Sequence, residues 1–181
     1  MGTKDDDLVA RLLGREPAGQ FDVILRNGDG MPVVIRNAPL LDDGTPMPTR
    51  YWLVDPALRA AVSRLESVGG VRSAEASVDA VELARAHVCY AQERDSALPA
   101  EHVGPRPSGG VGGTREGVKC LHAHIAWHLV GGDDPVGRWT WRQLVAVDGS
   151  LGGPLAYTGV RVPAGTEDSS EICALPRTDA K

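Results

Sequence analysis

FDVILRNGDGMPVVIR, residues 21–36, decides the fold. Phe21–Arg26 and Pro32–Arg36 are β-rich runs. Between them Asn27-Gly28-Asp29-Gly30 is hairpin chemistry, because Asn, Asp and Gly tolerate the left-handed backbone of a tight turn. On the N-terminal side, Asp5 to Leu13 reads as a short helix. Asp stands at its start, Leu8, Val9, Leu12 and Leu13 supply apolar positions, and Gly14 follows. On the C-terminal side, Pro39 to Thr49 is a turn-rich loop and Arg50 to Val54 a third strand. Asp55 then caps a helix with Pro56 at its first position. Leu58, Ala61, Val62 and Leu65 fall on one face, and Gly69-Gly70 ends it.

A second helix is expected from about Val78 to Arg94, with Val81, Ala84, Val88 and Ala91 as its apolar stripe. Pro99 to Thr114 is a Pro- and Gly-rich loop. A third helix starts near Gly117 and stops before Gly131-Gly132. Trp139 to Val147 and Leu155 to Val162 read as strands, and the polar stretch from Pro163 to Lys181 as a flexible tail. Strands come early and helices follow one another, which favours α+β over a repeating βαβ plan. The expectation is one domain over residues 1–162, a small antiparallel sheet packed against about three main helices.

Composition narrows the function classes. The 181 residues suit one domain. With 19 basic and 24 acidic residues the formal net charge is −5, and no dense Lys/Arg run is present, which argues against a nucleic-acid partner. No stretch approaches the ~20 apolar residues of a membrane span. The first residues carry three consecutive acids, Asp5 to Asp7, and no apolar core of a signal peptide. Three widely spaced cysteines, Cys89, Cys120 and Cys173, are not a disulfide framework; free thiols in a cytoplasmic protein are expected.

The densest chemistry lies at Lys119-Cys120-Leu-His122-Ala-His124-Ile-Ala-Trp-His128. A helix advances ~100° per residue, so Val118, Leu121, Ile125 and Leu129 form an apolar face. Cys120, His124 and His128 share a neighbouring strip, and His122 falls on the other flank. Three readings are open. In one, Cys120, His124 and His128 ligate a metal such as zinc, with further ligands from His87, Cys89 or His102. In another, Cys120 is a nucleophile whose thiol is acidified by the helix N-terminus, Lys119 and Arg115, with a histidine as proton shuttle. The third is ordinary packing of a small hydrophobe and hydrogen-bonded imidazoles.

Gly109-Gly110-Val111-Gly112-Gly113 ahead of that helix suggests a backbone nest for an anionic small molecule, with Arg106, Arg115 and Lys119 adding charge. It is not a nucleotide P-loop: Val118 intervenes before Lys119, and Cys120 stands where Ser or Thr would hold magnesium. His87, Tyr90 and Arg94 share one face of the second helix. They either look across a cleft at the Cys120 helix or form a solvated polar edge, which is the ordinary expectation for such residues.

Several stretches resemble the bacterial family called domain of unknown function 501. They are Pro39 to Leu53, Val62 to Val71, Ala86-His87 with Tyr90 and Arg94, and Gly109 to Gly113 followed by Val118 to His124 and Asp134 to Gly137. The resemblance spans roughly residues 14–140. It marks Lys119, Cys120, His122 and His124 as the family's signature, with His87, Tyr90 and Arg94 as companions. It also associates relatives with a septum-formation protein and an exopolyphosphatase-like enzyme as gene neighbours. This chain departs from the family pattern at Leu25 to Asn27 and Val54-Asp55, where many relatives carry cysteines, and at Asp134, where Asn is the expected residue. The missing cysteines weigh against zinc.

Two functions follow as expectations. One is a small hydrolase or transferase acting on a phosphorylated or carboxylated metabolite. Cys120, His122, His124 and His87 would be catalytic, and Gly110, Gly112, Gly113, Arg115, Lys119, Tyr90 and Arg94 would hold the anion. The other is a non-catalytic accessory protein, linked to cell-envelope or division processes, that binds a ligand or a protein partner with the same residues.

Overall fold

The computed structural model describes residues 4–147. The hairpin forms as expected. Strand β1 (Phe21–Arg26) runs antiparallel to β2 (Pro32–Asn37), and β3 (Tyr51–Leu53) pairs with β2's other edge. The Asn27 side chain accepts from the Asp29 and Met31 amides, and Gly30 closes the turn at φ +77°. Asp22 lies opposite Arg36, and their side chains pair at 3.0 Å.

Helix α1 (Lys4–Leu13) ends where expected. Gly14 takes φ +74°, and the Arg15 amide returns to the Ala10 carbonyl. It covers one face of the sheet, where Val9 joins Ile35 and Val54 in a small apolar cluster flanked by Trp52. The other face carries Leu25, Val34, Tyr51 and Leu53 into the main core. Helices α2 (Pro56–Ser67), α3 (Gly70–Ser77), α4 (Ala80–Ser96), α5 (Leu121–Leu129) and α6 (Pro135–Val147) supply the rest of it. Leu121 and Ile125 of α5 are fully buried there. Each such side chain contributes roughly 1.5–3 kcal/mol by leaving water.

Asp55 caps α2 through the Leu58 amide, and Asp79 caps α4 through those of Val81 and Glu82. The small antiparallel sheet packed against helices is as expected, with six α-helices among the described residues. Three expectations need correction. Gly69-Gly70 does not merely end α2; it opens α3. Trp139 to Val147 is helical rather than extended, because Asp134 accepts from the Gly137 amide ahead of Pro135 and starts α6. Finally, α5 begins at Leu121, not near Gly117, whose φ of +66° is left-handed. The expected strand at Leu155 to Val162 and the tail from Pro163 lie outside the described residues. No helix among the described residues is long and apolar enough to cross a membrane.

Candidate functional site

Helix α4 turns a face to the interior that its sequence disguised. Val81, Ala84 and Val88 face solvent, while Leu83, Ala86, His87, Tyr90 and Arg94 are buried. The solvated polar edge is therefore overturned. These polar groups are stable inside because each finds partners. The Arg94 guanidinium donates to the carbonyls of Pro107, Ser108 and Gly109 at 3.2, 3.4 and 2.8 Å, and its Nε to Asp95 at 2.8 Å. The Tyr90 hydroxyl accepts from the Arg50 amide at 2.6 Å, and burial pushes its pKa up. The His87 Nδ1 accepts from the Val111 amide at 3.1 Å, which leaves the proton on Nε2, donating to the Gly117 carbonyl at 3.0 Å.

The glycine loop is thus stapled to α4. A Cβ at Gly110 would overlap the His87 imidazole. The amides of Gly110, Val111, Gly113 and Thr114 donate to Thr114, His87, Gly110 and Val111, so four of the nest's donors are aimed into the protein. Arg115 and Lys119 are exposed on its outer side.

The Cys/His strip comes apart. Cys120 is not inside the helix; its backbone is extended at φ −157°, ψ 150°, in the N-cap position. That rotates it away from His124. The His124 Nδ1 lies 2.7 Å from Asp134, both side chains being almost wholly buried, and its ring meets His87 edge-on at 5.8 Å. Its Nε2 and the Nδ1 of His128 are buried without a hydrogen-bond partner among the described residues. No three His, Cys, Asp or Glu side chains are grouped to hold a metal ion among the described residues. Cys120, His124 and His128 therefore do not make the expected ligand set. Cys89 is disulfide-bonded, against the expectation of free thiols, and Cys120 is free.

What Cys120 shares is a cleft of about 340 Å³ with His122, Thr49, Trp52, Arg15 and Arg59. It lies between the end of α1, β3, α2 and the head of α5. At the head of α5, Glu66 reaches over from α2 to accept from the Leu121 amide at 2.6 Å and from His122 Nδ1 at 3.1 Å. The His122 Nε2 faces the Ser63 hydroxyl and the Arg59 carbonyl, each at 3.3 Å. Burial pushes the Cys120 thiol up, and Glu66 adds to this; the Ala123 and His122 amides and Lys119 pull the other way. The net rise leaves a protonated thiol at neutral pH. Arg15, Trp52, Arg59 and Glu66 escaped sequence analysis. Arg15 lies far along the chain from the other three, and Trp52, Arg59 and Glu66, on β3 and α2, carry no chemical motif of their own.

Burial also lowers the pKa of His87 and His128 below the usual histidine range. The unfolded chain takes up these protons near pH 6.5 and the folded chain does not, so unfolding free energy falls as pH falls through that region. The melting temperature is expected to be lower at pH 5.5 than at pH 7.5. A flat profile across that window would contradict the neutral, hydrogen-bonded His87.

The family comparison agrees with the residues quoted for the resemblance. A family model described as "Protein of unknown function (DUF501)" matches residues 23–142, which includes β2, β3, α2 to α5 and most of α6. No curated protein and no solved structure matches the chain. The loop staple at His87 and Arg94 lies within the matched span, as does the Cys120–His122 cleft apart from Leu13 and Arg15, and the chain belongs to the DUF501 family.

Proposed function

We propose that the chain is a binding protein for a small anionic molecule held in the cleft beside Cys120. One observation carries this reading. In a chain of net charge −5, two arginines, Arg15 and Arg59, line the cleft, and the carboxylate beside it, Glu66, is already engaged by the Leu121 amide and His122. Arg15 makes no ion pair with the described residues, and Arg59 gives one bond to the Leu12 carbonyl, leaving further donors for a carboxylate or phosphate. The volume lies within the ~300–1,000 Å³ of small-molecule sites.

A second reading, a hydrolase or transferase using Cys120, is favoured by the helix amides of His122 and Ala123 at its sulfur. It is opposed by the raised thiol pKa and by the partners that already occupy both nitrogens of His122.

Cys120 reports on occupancy because it lines the cleft. Inorganic phosphate is expected to slow alkylation of Cys120 by iodoacetamide. The double variant Arg15→Ala, Arg59→Gln is expected to weaken that protection about tenfold or more, since a charge-assisted hydrogen bond is worth roughly 1.5–3 kcal/mol. Identical labelling rates with and without millimolar phosphate, in both proteins, would remove the anion site.

A further inference from the structure

We infer that the anion bound beside Cys120 is the head of a single-chain amphiphile, whose alkyl part crosses Trp52 into a second, apolar cleft. The inference rests on the anion site proposed above and deepens it. A neighbouring cleft of about 270 Å³ is lined mainly by Ala18, Gly19, Ala38, Leu40, Leu41 and Met47, with no carboxylate among the described residues that line it. By itself it falls below the ~300 Å³ at which small-molecule sites begin. Joined to the first cleft, it does not.

Arg15 and Trp52 line both clefts and so form the wall between them. That wall is a stacked pair, the Arg15 guanidinium lying 5.2 Å from the Trp52 ring centre. The two halves differ in mobility. Trp52 is half-buried on β3 against the cluster of Val9, Ile35 and Val54. Arg15 is exposed. Its backbone is anchored by the Gly14 turn and the Ala10 carbonyl, but among the described residues its side chain has only the stack and a 3.5 Å contact to the Glu16 carbonyl. An exposed cation–π contact is weak, so the guanidinium can leave the ring at small cost. Swung toward the anion site, it pairs with the acidic head and opens the path over Trp52. The indole face it vacates is apolar and suits a methylene chain. Asn37, a polar residue of the second cleft, already donates one side-chain N–H to the Thr49 carbonyl.

The test is a chain-length series. Straight-chain carboxylates and alkyl phosphates from two to ten carbons are titrated against the full chain, with Cys120 labelling as readout. Affinity is expected to rise about fourfold per added methylene, the ratio for moving a CH₂ out of water, until the second cleft is full. Ala18→Trp, which fills that cleft, and Ala18→Asp, which charges it, are expected to abolish the gain while short anions still bind. Retained short-anion binding also shows that these variants fold. Short anions that bind with no gain from chain length, or a gain that survives both Ala18 variants, would overturn the amphiphile and leave the anion site standing. Failure of every anion to protect Cys120 would overturn both.

Discussion

Replacing Arg94 by Leu is expected to destabilise the protein by about 3–5 kcal/mol, the range for removing one side of a buried charged interaction. For a chain of this size that lowers the melting temperature by about 10 °C. Arg94 is 1% exposed, and its guanidinium holds three consecutive carbonyls, Pro107 to Gly109. Leu fills part of the space and satisfies none of them. Lys keeps the charge but not the planar fork, so Arg94→Lys is expected to recover less than half of the loss. Thermal melts of the three proteins, with limited proteolysis of the segment between Leu98 and Gly117, check this. An Arg94→Leu protein that melts within 2 °C of the parent and resists cleavage there would refute the staple, whose shift is set by the scaling above.

Asp134→Ala is expected to cost about 3 kcal/mol, the sum of a lost helix cap and a buried partner left unpaired. Its Oδ1 accepts from the Gly137 amide at 2.9 Å and its Oδ2 faces His124 Nδ1 at 2.7 Å. After truncation neither nitrogen of the buried His124 ring has a partner among the described residues, since Nε2 already lacks one. Asp134→Asn separates the two roles. Its carbonyl keeps the cap, and its amide can donate to His124 Nδ1 if the ring proton moves to Nε2. That variant is expected to lose about 1 kcal/mol or less, a single net hydrogen bond, and to show the opposite His124 tautomer in long-range ¹H–¹⁵N spectra. Equal losses for Ala and Asn, with an unchanged tautomer, would show that the pair does not hold the ring.

The hairpin and the start of α2 were legible because their determinants are local. Asn27 bonds within its own turn, and Asp55 caps the amide three residues on. The inward face of α4 was not. Its partners lie at Arg50, Pro107 to Gly109, Val111 and Gly117, and polar residues that bond so far along the chain look like a surface when read alone. Val81 and Val88 drew the apolar stripe to the wrong side. In α6 the alternation of Trp139, Thr140 and Trp141 imitates a strand, while Thr140 and Leu144 turn inward at helical spacing. The candidate site was half legible. Cys120 and His122 were singled out, but a helix assumed to start four residues early placed Cys120 beside His124 instead of His122. Arg15, Trp52 and Arg59 are joined only by the folded chain.

The Arg94 guanidinium touches the 107–109 segment solely through main-chain oxygens, and His87 does the same at Gly117. Such a clasp is blind to the side chains it grips. It reads the course of the strap, so the exposed Ser108 can change identity freely, while one residue inserted or deleted between it and Gly110 would put the wrong oxygens under the guanidinium. Tolerance to exchange and intolerance to changes of length are two sides of the same grip.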